Sequence, residues 1–249
     1  MTTTHEAAVG YVRRGFGVVP VPHRQKGPVL AGWQDLRLTE ADLAQHFNGR
    51  EWNIGILNGA PSGDLIDIDL DAPEAAYFRA WLPPTDLIGG RDGNPASHWF
   101  YRAPDVATVR HQDPHRPEGR TTLVELRSTG TQTIVPPSTH PAGESYRWER
   151  DGDPAQSDAA ALRHATGTIA AGALLARYWP GAGSRHDASL ALAGWLLRNG
   201  WGEDEAARFI EAVADAAGDE EHAARAKNVA TTVRRTAARR PARPHWRGC

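Results

Sequence analysis

Alternating aspartates in one short apolar segment are the residues of this sequence best suited to metal chemistry. Asp67 and Asp69 alternate with aliphatic residues over positions 65–70, and Asp71 follows two residues later. Successive side chains of a strand point to opposite faces, so the aspartates share one face. Close carboxylates repel one another by roughly 1 kcal/mol even with water-like screening. A divalent cation such as Mg²⁺ removes that repulsion. The alternative is that these acids lie on the solvated face of an edge strand.

Two further polar residues lie in predicted strands. Glu125 stands between two apolar residues. If its strand neighbours the aspartate strand, three carboxylates could hold two metal ions, one activating a 3′-hydroxyl and one binding the pyrophosphate leaving group. An ion pair between Glu125 and Arg127 on the same strand is the alternative. His98 starts a predicted strand after a flexible segment, 89–95, and could donate to a triphosphate. A merely hydrogen-bonded histidine is the alternative there.

The surrounding pattern predicts an α+β fold, with a mixed sheet packed with helices and a small C-terminal helical bundle. Pro20 places its strand at an edge, and Thr39 is the expected cap of a short helix. We expect a catalytic domain over residues 1–155 and a helical domain over residues 156–249. The predicted strands are 18–21, 53–57, 65–70, 98–102, 122–126, 133–135 and 145–148; the predicted helices include 4–14, 40–47, 72–81 and 221–238.

Composition narrows the class of protein. Of the 249 residues 40% are hydrophobic and 23% charged, which is typical of a globular protein. The sequence contains neither an apolar run of membrane-spanning length nor a secretory signal, so we expect a cytoplasmic protein. One cysteine, Cys249, excludes a disulfide framework and a cysteine zinc site. The net charge is −2, yet residues 222–249 carry eight Lys and Arg and no acid. That basic end could follow a phosphate backbone, or it could be a solvated tail.

In their order along the chain, these segments resemble the bifunctional primase-polymerase domain of the archaeo-eukaryotic primase superfamily. The resemblance covers residues 5–150. One position departs from it: the family has a serine two residues before the histidine, where this chain has Ala96, with Ser97 next to it. The segments that carry the resemblance are Val18-Val19-Pro20, Lys26 with Gly32-Trp33, Asn53-Ile54-Gly55-Ile56, Asp67-Ile68-Asp69, His98, Glu125 and Pro136-Pro137-Ser138-Thr139-His140-Pro141.

The resemblance implies template-directed joining of nucleotides with release of pyrophosphate, as DNA primase and DNA polymerase activity in phage, plasmid or bacterial DNA replication. Asp67, Asp69 and Glu125 would be the ligands of a two-metal site with Mg²⁺ or Mn²⁺. They would also be catalytic, together with His98. The implied nucleotide-binding residues are His98, Ser97, Arg127, Lys26, Ser138 and His140.

The resemblance also implies partners. A single-stranded DNA template and NTP or dNTP substrates are expected, and no membrane. The sequence has no Gly-x-x-x-x-Gly-Lys-Ser/Thr loop. We therefore expect a replicative helicase to act in trans or to be fused in a longer primase-helicase protein, of which this chain is a fragment or a stand-alone relative.

Two other classes of function remain as alternatives. A non-catalytic replication initiator module would bind single-stranded DNA through basic and aromatic residues. A rolling-circle nicking endonuclease would need a His-hydrophobic-His metal pair, and the sequence contains no His-x-His triplet.

Overall fold

The computed structural model describes residues 3–48, 51–116 and 121–238. The strands in these ranges are β1 (Val18–Pro22), β2 (Trp52–Leu57), β3 (Leu65–Asp69), β4 (Leu87–Arg91), β5 (Asn94–Arg102), β6 (Val109–Gln112), β7 (Thr122–Arg127), β8 (Gln132–Val135), β9 (Tyr146–Asp151) and β10 (Ala155–Gln156). The α-helices are α1 (Thr4–Arg13), α2 (Glu40–His46), α3 (Ala159–Arg177), α4 (Arg185–Arg198), α5 (Glu203–Ala216), α6 (His222–Ala226) and α7 (Asn228–Ala238). Short 3₁₀ helices cover Trp33–Asp35, Ala60–Ser62 and Pro73–Trp81.

The strands form two sheets. In the smaller sheet the order is β1-β2-β8, with antiparallel neighbours. In the larger sheet the order is β6-β7-β3-β5-β4-β9, also antiparallel, and β10 runs parallel to β5. The edge position predicted from Pro20 is confirmed, because β1 is the outer strand of its sheet. Strand β3, which carries Asp67 and Asp69, has β5 on one side and β7 on the other.

Apolar packing joins the two sheets and the first helix. Tyr11 of α1, Ile54 of β2 and Phe100 of β5 belong to one buried cluster. Val19 and Val21 point to the other face of β1 and belong to a second cluster. Burying one large aliphatic or aromatic side chain contributes about 1.5–3 kcal/mol. Because a slip by one residue would exchange the side chains of the two clusters, this packing fixes the register of the strands.

Helix α2 begins where the sequence predicts it. Thr39 and Asp42 form a capping box, in which Asp42 Oδ2 accepts from the backbone N–H of Thr39 at 2.9 Å. The predicted cap at Thr39 is therefore confirmed. These bonds satisfy backbone donors that a helix start otherwise leaves free.

Two predicted helices differ from those of the structure, and three strands were missed. The helix predicted over residues 72–81 is a 3₁₀ helix, in which the buried residues Ala75 and Phe78 are spaced by three, the period of that helix. The last helix is divided at Lys227 into α6 and α7. Strands β4, β6 and β10 were not predicted.

The segment 89–95 is not a flexible loop, because it forms the end of β4, a tight turn and the start of β5. A Cβ on Gly89 would lie 3.0 Å from the Trp148 ring, and one on Gly90 would lie 2.6 Å from the backbone nitrogen of Ala96. Glycine here allows strands to approach closely, and does not indicate flexibility. His98 consequently lies inside β5 and not at the start of a strand.

The predicted fold class is confirmed: the chain is α+β, with sheets packed against helices and a C-terminal helical region. It divides into two compact units, residues 1–171 and 172–249. The predicted domain boundary after residue 155 precedes α3 and remains a prediction. Among the described residues, no helix is both long and apolar enough to span a bilayer. Residues 239–249 of the predicted basic end lie outside the described residues.

Candidate active site

The register of three neighbouring strands brings the predicted site residues together. Asp69 of β3 is paired with His98 of β5 on one side and with Glu125 of β7 on the other. Asp67, two residues earlier, is paired with Arg127. Directly paired residues on antiparallel strands project to the same face of the sheet. One face of the sheet therefore carries two aspartates, a glutamate, a histidine and an arginine.

Asp67 is the member of this group whose carboxylate is fully buried. Its Oδ2 accepts from Thr133 Oγ1 at 2.6 Å, and it lies 3.1 Å from His98 Nδ1 and 3.5 Å from Arg127 Nη1. Burial alone would raise the pKa of Asp67, but His98, then Arg127 and the Thr133 hydroxyl, outweigh it and lower that pKa. The Asp67 carboxylate is therefore ionised and already contacts three protein groups.

The carboxylates that converge are those of Asp69, Asp71 and Glu125. One oxygen from each lies within 4.8 Å of the others. Burial, and then the nearby Asp69 carboxylate, raise the pKa of Asp71 to about 6. The part of that rise that comes from Asp69 is repulsion between carboxylates, which a bound cation would relieve. Three oxygens at this separation fit a hard divalent ion such as Mg²⁺ or Mn²⁺. Of the predicted ligands, Asp69 and Glu125 are in this set, with Asp71 and not Asp67 as the third.

Arg127 is the cation within the acidic group. Its guanidinium lies 2.5 Å from Asp69 Oδ2, 2.8 Å from Glu125 Oε2 and 3.5 Å from Asp67 Oδ2. Arg110 on β6 also pairs with Glu125, at 2.7 Å. Burial would raise the pKa of Glu125, and these arginines outweigh it and lower that pKa. The alternative interpretation of Glu125, an ion pair with Arg127, therefore holds alongside its place in the carboxylate cluster.

His98 faces the two aspartates of β3. Its Nδ1 lies 3.1 Å from Asp67 Oδ2 and 3.7 Å from Asp69 Oδ1. Burial would lower the pKa of His98, but Asp69 and Asp67 outweigh it and raise that pKa. The imidazole is thereby favoured in its protonated form, as a donor with a fixed ring orientation.

A cleft of about 160 Å³ opens over this face of the sheet, and an adjoining hollow of about 390 Å³ shares several of its residues. Among the lining residues are five that the sequence predicted, namely Lys26, Asp69, Ser97, His98 and Arg127. Acids and cations thus line one concave surface, which is the composition that binding of a metal-chelated phosphate requires.

Ser138 and His140 of the predicted nucleotide-binding set do not line the cleft. Ser138 is buried, and its Oγ accepts from the backbone N–H of Ile54 at 2.8 Å. His140 Nδ1 accepts from the backbone N–H of Ala142 at 3.1 Å, and its ring stands edge-on to that of Tyr146. Both residues shape the turn between β8 and β9, which positions Tyr146 at the cleft wall.

Six lining residues were not predicted as part of a site: Asp71, Arg91, Asn94, Gln132, Ile134 and Tyr146. The two-residue period of the aspartates already placed Asp71 on the correct face. Arg91 and Asn94 could not be found from the sequence because their segment was taken for a loop. Asn94 Nδ2 donates to the carbonyl of Leu70 at 3.2 Å, which ties the β4–β5 turn to the end of the aspartate strand.

An acid-lined, cation-flanked cleft on an α+β sheet is typical of proteins that bind nucleotides with a divalent cation. The family model described as bifunctional DNA primase/polymerase, N-terminal, matches residues 8–160. The chain belongs to this family, which makes it a nucleotidyltransferase of the primase/polymerase type at the level of the family. No curated protein sequence matches it significantly.

Proposed function

We propose that this protein synthesises and extends primers on a single-stranded DNA template, joining NTPs or dNTPs by two-metal phosphoryl transfer. The observation that carries the proposal is the convergence of the Asp69, Asp71 and Glu125 carboxylates, of which Asp69 and Asp71 line the same cleft as His98. Membership of the primase/polymerase family supports it. The protein would act in the cytoplasm, in the replication of phage, plasmid or bacterial DNA. A replicative helicase would act with it, either as a separate protein or fused to it.

Asp69, Asp71 and Glu125 would hold Mg²⁺ or Mn²⁺. Bound there, the ions would activate the 3′-hydroxyl and neutralise charge on the leaving pyrophosphate. Asp71 replaces Asp67 in this proposal because Asp71 lines the cleft and converges with Asp69 and Glu125, whereas the Asp67 carboxylate is fully buried and does not line the cleft. Asp67 would act as a positioning residue for His98 and Arg127.

The residues around the acids would bind the nucleotide. His98 and Lys26 would donate to phosphate oxygens, and Ser97, which lines the same cleft, would add a hydroxyl. In the reaction the 3′-oxygen forms a bond to the α-phosphorus while the bond to pyrophosphate breaks, and the hydroxyl proton leaves to solvent. Arg127, held among three carboxylates, would keep those carboxylates in place between turnovers.

Primer synthesis is the direct test. The full chain is incubated with single-stranded template, labelled nucleotides and Mn²⁺, with Mg²⁺ and metal-free reactions beside it. We expect metal-dependent dinucleotides and longer products. Retention of the DNA without product under each metal would instead support the alternative, a non-catalytic module that binds single-stranded DNA.

A further inference from the structure

An ion pair closes one side of the cleft. Arg91, the last residue of β4, contacts Glu144 in the turn before β9 through its Nη1. The two side chains are 19% and 29% exposed. Arg91 lines both the cleft and the adjoining hollow, in each case together with Lys26 and Asp71. Arg91 therefore stands where a ligand reaching from the carboxylates into the hollow would pass, with Glu144 behind it as its partner.

The cations that line the cleft differ in what they already bind. Arg127 is paired with three acids of the metal-site strands. Arg91 is paired with Glu144, which is outside that group. A guanidinium has five N–H donors in a planar fork, and an ion pair through one nitrogen leaves others available. Arg91 can thus keep Glu144 and still donate to a phosphate.

The local backbone is shaped around this pair. A Cβ on Gly93, in the β4–β5 turn, would lie 2.6 Å from Glu144 Oε1 and 2.9 Å from Arg91 Nη1. Any larger residue at that position would push the two side chains apart. The hydrogen bond from Arg91 lowers the pKa of Glu144, so the acid remains ionised and the pair intact at neutral pH. Glycine at this turn is explained by the room that the ion pair needs.

We propose that Arg91 binds the outer phosphates of the incoming nucleoside triphosphate and that Glu144 is the positioning residue that holds its guanidinium toward the cleft. This inference rests on the proposed function. It assigns selection of triphosphates over monophosphates to a side chain at the end of β4, which lines both the cleft and the adjoining hollow.

Substitution of Glu144 distinguishes a positioning role for this residue from a purely electrostatic one. Removing an acid near a bound triphosphate reduces repulsion, so a purely electrostatic role predicts tighter binding by Glu144→Gln. A positioning role predicts the reverse, because the released guanidinium must be ordered again each time that ligand binds. The sign of the change in affinity therefore decides between them.

The neighbouring pair Arg147–Asp92 is a matched control. It joins β9 to the same turn at 2.9 Å, but both side chains are more than half exposed and neither lines the cleft. Arg147→Met and Asp92→Asn therefore remove an ion pair between the same two elements without touching the proposed phosphate contact.

The experiment is calorimetric titration of the full chain, in Mn²⁺, with a nucleoside triphosphate whose α–β bridge is a methylene group, and with the corresponding monophosphate. We expect Arg91→Met to weaken triphosphate binding at least about tenfold, as loss of charge-assisted hydrogen bonds implies. Monophosphate binding should change less than about twofold. Arg91→Lys should recover part of the loss, Glu144→Gln should weaken triphosphate binding about threefold, and both control variants should bind like wild type.

Equal triphosphate affinity of wild type and Arg91→Met, or tighter binding by Glu144→Gln, overturns the assignment while leaving the proposed function standing. A wild type that binds neither the triphosphate nor Mn²⁺ overturns both. Circular dichroism monitors folding; if Arg91→Met is unfolded, Arg91→Lys and Glu144→Gln decide by the same criteria.

Discussion

Asp69 of β3 and Glu125 of β7 are directly paired across the two strands. One carboxylate oxygen of each lies within 4.8 Å of the other and of an oxygen of Asp71. The two residues are 56 positions apart in the chain, and only the antiparallel pairing of their strands makes them neighbours. Two acids opposed in this way destabilise a sheet unless a cation lies nearby. Arg127 supplies part of that charge, and the proposed metal ions would supply the rest.

The hydroxyl of Thr133 should matter for stability because it donates to a buried carboxylate. Thr133→Val keeps the shape of the side chain but removes the 2.6 Å bond to Asp67. We expect the free energy of unfolding, measured with urea, to fall by about 1–3 kcal/mol. Thr121→Val, which removes an exposed bond from Gln112, is the control and should change it little. Equal losses in the two variants would contradict the role assigned to Thr133.

The sequence predicted correctly those elements that a few neighbouring residues determine. The capping box at Thr39 and the alternation of Asp67 and Asp69 identify a helix start and a strand from a few residues each. The glycines of β4 were misinterpreted because their role depends on contacts distant in sequence, with Trp148 on β9 for Gly89. No local pattern reveals such a contact.

The candidate site was predicted in outline and not in its details. Alternation placed Asp67, Asp69 and Asp71 on one face but could not say which of them would be buried. Asp67 is the one that is fully buried, and Thr133, a residue of the other sheet, donates to it there. The proposed distinction between metal ligands and a positioning carboxylate therefore rests on the tertiary structure and not on the sequence pattern.

Asp219 should make the C-terminal helical unit sensitive to acid. Burial would raise the pKa of Asp219, but Arg225, the backbone N–H of Glu221 and the Trp179 indole outweigh it and lower that pKa from 3.8 to about 2. A lowered pKa contributes stability that is present above about pH 4 and is lost as the pH falls toward 2. Thermal unfolding followed by circular dichroism should show that loss, of the order of 2 kcal/mol.

Asp219→Asn should reduce stability at neutral pH and flatten its dependence on pH between about 4 and 2. The exposed Asp215 provides the control, since Asp215→Asn should leave the profile close to that of wild type. An unchanged slope in Asp219→Asn would show that this carboxylate does not cause the acid sensitivity.

The helical region after α3 resembles the region that often follows primase-polymerase domains in plasmid and phage replication proteins, which implies contact with the template or the initiating nucleotide. We therefore expect it to act in starting a chain more than in extending one. A chain ending at Arg177, the last residue of α3, should form the first dinucleotide more slowly while extending a preformed primer at a rate closer to that of the full chain. Separate assays of dinucleotide formation and primer extension measure the two. Equal losses would count against a role in initiation, and thermal unfolding of the shortened chain establishes that it folds.

The identity of the third metal ligand is the most direct test of the site. Mn²⁺ binding is measured by electron paramagnetic resonance for wild type, Asp71→Asn and Asp67→Asn, with dinucleotide synthesis assayed on the same samples. Loss of one of three carboxylate ligands should weaken Mn²⁺ binding by Asp71→Asn at least about tenfold and abolish synthesis. Asp67→Asn should still bind Mn²⁺ and lose stability instead. Wild-type Mn²⁺ affinity and synthesis in Asp71→Asn, with metal binding lost in Asp67→Asn, would contradict the account.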